Sequence, residues 1–207
     1  MLLSLQPLVD PGHAAGRPRH VVALAASSGG LAALSRILST LPAGFPAPIV
    51  VVQHLDPHHR SWMAEILDRR TGLRVAEARA GETLTAGTAF VAPPGRHLLV
   101  GADGLLALAD TDRVRFSRPS ADVLFASLAE SWGPGAIAVV LSGKGLDGAD
   151  GVCAIKRRGG TVIVQDEVSA EFAGMPSAAI LTGAADRILP LDGIAAALVQ
   201  LTGGRSR

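Results

Sequence analysis

The sequence predicts an α/β fold: a doubly wound, mostly parallel sheet flanked by helices, with an antiparallel hairpin at its edge. Three observations carry that expectation. First, the segments VVALAA (21–26), PIVVVQ (48–53), AIAVVLS (136–142) and TVIVQD (161–166) are continuous apolar runs rich in β-branched residues. They lack the polar alternation of a half-wet sheet, and such runs belong to strands covered on both faces. Second, stretches with apolar residues three and four apart separate them: 30–41, 60–72, 120–133, 148–160 and 191–202, several closed by Gly. Third, 24 Gly among many Ala and Val suits close helix–strand packing.

Taken in order, residues 1–18 read as a flexible leader, because Pro11, Gly12, Gly16 and Pro18 discourage regular structure. The opening MLLSLQPLVD is no export signal, since Ser4, Gln6 and Pro7 interrupt its apolar stretch and no Lys or Arg precedes it. Residues 19–202 then form one domain, with 203–207 as a tail. AGTAFVAP (86–93) and HLLVGADGLLALAD (97–110) depart from the strand–helix alternation, and Asp103-Gly104 between two apolar segments signals a hairpin. An antiparallel ribbon added to the sheet is therefore expected here.

Composition excludes several classes of function. Hydrophobic residues at 48% against 18% charged rule out a solvated, disordered chain. A formal charge of +1, from 19 Lys+Arg and 18 Asp+Glu, gives no broad electrostatic hold on nucleic acid. Aromatics at 3%, with no Tyr, leave little for base stacking. No apolar run reaches the ~18 residues of a membrane span, so membrane insertion is not expected. One cysteine allows neither an internal disulfide nor a cysteine-based zinc cage, which fits a reducing, cytoplasmic compartment.

In doubly wound sheets reactive groups collect at the C-terminal ends of the strands. Ser27-Ser28-Gly29-Gly30 follows the first run, His54 the second, and Gly143-Lys144-Gly145-Leu146-Asp147-Gly148 the third. These strand ends offer a hydroxyl, an imidazole and a carboxylate, the parts of an activated serine nucleophile. Glycines at a sharp strand-to-helix turn let backbone approach closely, and free N–H groups there can hold an oxyanion. Read locally, a second use stays open for each: Ser27 or Ser28 can cap the helix at 30–41, and Asp147 can cap its own helix or close a turn. His54, His58 and His59 crowd together, but Pro57 breaks the helical spacing a metal site would use. His58 and His59 are expected at the exposed start of the next helix. Around Lys144 the phosphate-loop pattern fails, with Ala138 where Gly is needed and Gly145 where Ser or Thr is needed. Cys153 reads as a packed small residue, Arg157 and Arg158 as a solvated helix end. Arg113, Arg115 and Arg118 form a loose basic cluster, read first as ordinary surface, with contact to an acidic protein partner the open alternative.

The segments AASSGG (25–30), VVVQHLDP (50–57), FVAPPGRHL (90–98), RPSADVLFASLA (118–129), VVLSGKGLDGADGV (139–152) and GGTVIVQDEVSAEFAGMP (159–176), in this order, resemble the catalytic domain of CheB-type chemotaxis protein-glutamate methylesterases. The resemblance runs from residue 19 to about 200. It implies a serine hydrolase that cleaves glutamyl methyl esters on methyl-accepting chemotaxis receptors, releasing methanol; related enzymes also deamidate receptor glutamines. By position it implies Ser27 as nucleophile, His54 as general base and Asp147 as orienting acid, with no cofactor and no metal. The N–H groups near Ser28 and Lys144 become candidate oxyanion donors. A hydrolase of another ester or amide, and a non-catalytic binding module on the same fold, are the alternatives. Three departures from the family pattern stand out. No receiver domain precedes residue 19, so regulation by phosphorylation within the chain is not expected. The usual Gly-Met-Gly-Asn-Asp-Gly carries Lys144 and Leu146 here, and Gly-Ala-Ser-Thr is Ala25-Ala26-Ser27-Ser28.

Overall fold

The computed structural model describes residues 17–56 and 59–203. Its strands are β1 (Val21–Ala26), β2 (Ile49–Gln53), β3 (Arg74–Glu77), β4 (Thr88–Val91), β5 (His97–Val100), β6 (Leu106–Ala109), β7 (Ala136–Val140), β8 (Thr161–Gln165) and β9 (Arg187–Leu189). Its α-helices are α1 (Gly30–Thr40), α2 (Met63–Asp68), α3 (Ala121–Trp132), α4 (Ala149–Arg157), α5 (Gly174–Leu181) and α6 (Leu191–Leu201). Seven strands form one sheet in the order β3-β4-β2-β1-β7-β8-β9, and every neighbouring pair runs parallel.

Apolarity on both faces puts β1 at the centre, since only a strand with helices above and below can bury every side chain it carries. Val21, Ala23 and Ala25 face a layer built on α3, α4 and α5, whereas Val22, Leu24 and Ala26 face α1, α2 and α6. A fully buried side chain such as Phe125 contributes roughly 2–3 kcal/mol from area removed from water. The chain leaves β1 towards β2 on one side and later lays β7 against the other. The reversal opens a crevice above the C-terminal ends of β1, β2 and β7.

Two expectations are corrected. The hairpin at Asp103-Gly104 exists, with Leu105 N–H bonded to the Asp103 carboxylate at 3.0 Å and Gly104 at φ 82°. It is, however, a separate two-stranded sheet, β5–β6, and β4 belongs to the parallel sheet instead. Leu98, Val100 and Leu106 turn the hairpin's apolar face onto α3, so it packs as a layer and extends no sheet edge. The helix expected over 60–72 is only Met63–Asp68. Ser61 Oγ accepts the Met63 N–H at 3.1 Å, and the Asp68 carboxylate accepts the Val75 N–H at 2.8 Å, diverting the chain into β3.

Residues 1–16 and 204–207 lie outside the described residues, and with them most of the expected leader and tail. The leader's last two residues are anchored: Arg17 stacks on Trp132 at 4.0 Å, and the Pro18 carbonyl accepts the Trp132 indole N–H at 3.2 Å.

Candidate active site

The turn after β1 is held from both sides by its neighbours. Ser27 N–H donates to the Ser142 carbonyl at 3.0 Å, and the Ser27 carbonyl accepts the Gly30 N–H at 2.9 Å and the Gln53 amide at 2.8 Å. Gly29, at φ 77°, is the N-cap of α1 and leaves no side-chain cap hydrogen bond. The helix-capping use of Ser27 and Ser28 is therefore not taken, and the Ser27 hydroxyl has no hydrogen-bond partner among the described residues. Gly29 has no room for a side chain: a Cβ would stand 2.7 Å from Ser142 Oγ and 2.8 Å from a Glu171 carboxylate oxygen. Gly143 is equally confined, since a Cβ there would overlap the Met175 sulfur and lie 2.9 Å from the Ser27 Cβ.

His54 continues the ladder one residue past β2, its N–H bonded to the Ala26 carbonyl at 3.1 Å. Its Nε2 meets Asp147 Oδ2 at 2.7 Å. Asp147, only 3% exposed, receives three further donors: Ala121 N–H at 2.7 Å, Ser120 Oγ–H at 2.7 Å and Asp122 N–H at 3.1 Å. Two of these are N–H groups of the first turn of α3, where the helix dipole favours negative charge. Burial alone would push the Asp147 carboxyl up; the hydrogen bonds from His54, Ala121, Ser120 and Asp122 outweigh it and hold the group below the usual carboxylate range. Asp147 does not cap its own helix, which starts from Gly148 at φ 100°. It caps α3 instead. The favour is returned, for Asp122 on α3 accepts the Gly151 N–H of α4 at 2.7 Å. Burial raises the Asp122 carboxyl above its ordinary value, the Gly151 bond opposing and the Asp147 charge adding to the rise.

The structure thus joins His54 to Asp147 directly and sets Ser27 between the strand ends that carry them. No hydrogen bond links the Ser27 hydroxyl to the imidazole; His54 Nδ1 is the nitrogen left for it once Nε2 serves Asp147. Such bonds are often long without substrate and tighten around it. The backbone N–H groups of Ser28 and Lys144 donate to no partner among the described residues, as an oxyanion site requires. The Lys144 ammonium sits 4.7 Å over the Phe172 ring. A hollow of about 390 Å³ opens beside Ser27, walled by Gly29, Gly30, Gln53, Met63 and Arg70. A larger one, about 760 Å³, lies along β3 and is lined chiefly by charged side chains, among them Arg74, Glu77 and Arg79.

Several supporting residues escaped the sequence. The Gln53 amide bridges the carbonyls of Ser27 and His54, at 2.8 and 3.1 Å. A Cβ on Gly30 would overlap that amide, which explains the second glycine of the turn. Ser142 Oγ donates to the Ser28 carbonyl at 2.8 Å and accepts the Phe172 N–H at 3.0 Å, while its own N–H is held by Gln165 at 2.9 Å. The only available signal was place in sequence, since Gln53, Ser142 and Gln165 all stand at strand ends. His59 is exposed, pairs with Asp56 at 3.0 Å and precedes α2 by several residues, so it does not start that helix. His58 lies outside the described residues. Cys153 packs partly buried on α4, and Arg158 at the end of α4 pairs with Glu130 at 2.9 Å.

Comparison with known proteins places the chain among relatives. The family model described as CheB methylesterase matches residues 22–198. The protein-glutamate methylesterase FrzG of Myxococcus xanthus is 45% identical over 183 residues, covering 88% of this chain and 55% of that protein. Protein-glutamate methylesterase/protein-glutamine glutaminase 4 of Anaeromyxobacter dehalogenans is 44% identical, covering 95% of this chain and 58% of that one. The chain therefore spans little more than half the length of these curated relatives. The crystal structure of the Thermotoga maritima CheB methylesterase catalytic domain superposes with a TM-score of 0.85 at 38% identity, over 88% of this chain and 98% of that one.

Proposed function

The chain belongs to the CheB methylesterase family, and from that premise we propose that residues 19–202 hydrolyse glutamyl methyl esters on methyl-accepting chemotaxis receptors, in the cytoplasm, through Ser27, His54 and Asp147. The observation that carries this reading is the 2.7 Å contact between His54 Nε2 and a buried Asp147, with Ser27 at the intervening strand end and its hydroxyl without a hydrogen-bond partner among the described residues. Among the described residues no helix is long and apolar enough to cross a membrane.

In this mechanism Ser27 Oγ attacks the ester carbonyl while His54 Nδ1 takes its proton. Asp147 fixes the tautomer that leaves Nδ1 open and stabilises the imidazolium. The tetrahedral oxyanion lies against the N–H groups of Ser28 and Lys144. Its collapse breaks the bond to the methoxy oxygen, and His54 returns the proton so that methanol leaves. Water activated by His54 then opens the acyl-enzyme to the free glutamate. Atoms and protons balance among ester, water and three side chains, so no cofactor is called for. Glutamine deamidation follows the same course with ammonia leaving, and the name of the Anaeromyxobacter relative pairs the two activities.

Methanol release from methylated receptor membranes tests the substrate, and His54→Ala is expected to abolish it. Fluorophosphonate labelling tests the nucleophile: the wild-type chain is labelled and Ser27→Ala is not. Labelling without methanol would move the reading to another ester or amide. No labelling of either would leave a binding module.

A further inference from the structure

Six large hydrophobic side chains are markedly exposed among the described residues, and they are not scattered evenly. Trp62, Leu146 and Val168 lie on the loops that follow β2, β7 and β8, all at the sheet edge that carries Ser27 and His54. Phe116, 94% exposed, walls a hollow of about 100 Å³ whose lining also includes His54 and Leu55. Only Leu181 and Ile188 stand elsewhere. Exposed apolar side chains gathered around a site mark an interaction surface.

Phe116 also sits on a braced turn. It and Arg115 occupy the left-handed region, at φ 65° and 48°, which residues bearing side chains seldom adopt. The turn is closed by reciprocal bonds between Val114 and Ser117, at 3.1 and 2.8 Å. The Arg115 guanidinium anchors it, bonding Asp122 at 3.2 Å and also Asp150. Arg118 holds the loop from beneath through the carbonyls of Asp110 and Thr111. Two arginines of the basic cluster are thus structural, and Arg113 alone has no partner among the described residues. Their work keeps an aromatic ring in water, on the wall of the hollow that His54 also lines.

We infer that this rim docks the protein segment that carries the reacting ester, with Phe116 as its main anchor, packing on apolar side chains that flank the modified glutamate. The inference rests on the proposed esterase reading and names which surface receives the substrate. A small molecule does not fit it: a hollow of about 100 Å³ is well below the ~300–1,000 Å³ of small-ligand pockets. The apolar groups come from separate loops, and only an extended partner reaches more than one. Because His54 is part of the same wall, a segment seated on Phe116 arrives at the base.

Steady-state methanol release from methylated receptor membranes reads the rim directly. Phe116→Ala is expected to raise KM about tenfold, the scale of one lost aromatic anchor, with the loss falling on KM and not on kcat. Phe116→Leu is expected to restore most of it, and Leu181→Ala, away from the rim, to keep the wild-type KM. A wild-type KM in Phe116→Ala, a loss that falls on kcat instead, or no rescue by Leu would each overturn the inference. If the wild-type chain releases no methanol, the substrate assignment fails. Retention on receptor membranes then reads the rim alone, and equal retention of wild type and Phe116→Ala overturns it.

Discussion

The two halves of the site are built on opposite principles. Around Asp147, His54, Ser120, Ala121 and Asp122 all supply donors, and the carboxylate is out of water. Around Ser27, the backbone is fixed by Ser142, Gly30 and Gln53 while the hydroxyl has no partner among the described residues. A group that must orient another gains from saturation, since each bond removes a way to turn. A group that must form a new covalent bond is hindered by it. The same contrast separates fold from chemistry, because the Asp147 side chain also joins two helices, whereas the Ser27 side chain makes no hydrogen bond among the described residues.

The sharpest way to break that contrast is to truncate each half and measure rate and stability together. Ser27→Ala is expected to cost at least ~10⁴-fold in turnover while moving Tm by no more than about 2 °C, since no hydrogen bond is lost. Asp147→Asn is expected to lose ~10³–10⁴-fold in turnover and, unlike Ser27→Ala, to lower Tm by about 5–10 °C. Its amide NH₂ would face N–H groups of α3, leaving donors unsatisfied at a cost of about 2–4 kcal/mol. Calorimetry showing an unchanged Tm in Asp147→Asn would erase the distinction.

Acid sharpens it next. A carboxylate whose native pKa is depressed binds fewer protons when folded, so it adds stability above the ordinary carboxylate range and loses it as pH falls through the native value. Urea unfolding is therefore expected to separate wild type from Asp147→Asn most at pH 7, with a gap that shrinks progressively as pH falls below the ordinary carboxylate range. A gap that stays constant with pH would contradict the origin given for the shift. The smallest effect is expected at Gln53, which touches both halves through backbone carbonyls only. Gln53→Ala is expected to lower kcat about tenfold and stability by about 1–2 kcal/mol, as judged by kinetics and denaturant melts.

Much of this was legible in the sequence, for reasons that name what was not. β1, β2, β7 and β8 announce themselves because strands buried on both faces are apolar along nearly their whole length, with Gln53 and Gln165 only at their last positions. Strands β3 and β9 hide behind Arg74, Glu77 and Arg187, the charges that protect a sheet edge and read as loop. The meeting of three strand ends followed from parallel topology and from the family resemblance. The detachment of β5–β6 did not, since an apolar face does not declare whether it meets a sheet or a helix. Nor did the capping of α3 by Asp147, a contact between residues 26 apart that no local pattern encodes.

The crossed capping of α3 by Asp147 and of α4 by Asp122 carries a consequence for reading the genetic record. A lineage that abandoned ester cleavage and kept the scaffold as an adaptor would still be penalised for losing the aspartate. Its presence in a sequence testifies to a foldable pair of helices. Testimony about the proposed chemistry comes from Ser27, whose hydroxyl bonds no part of the fold among the described residues and which is free to drift once turnover is no longer selected.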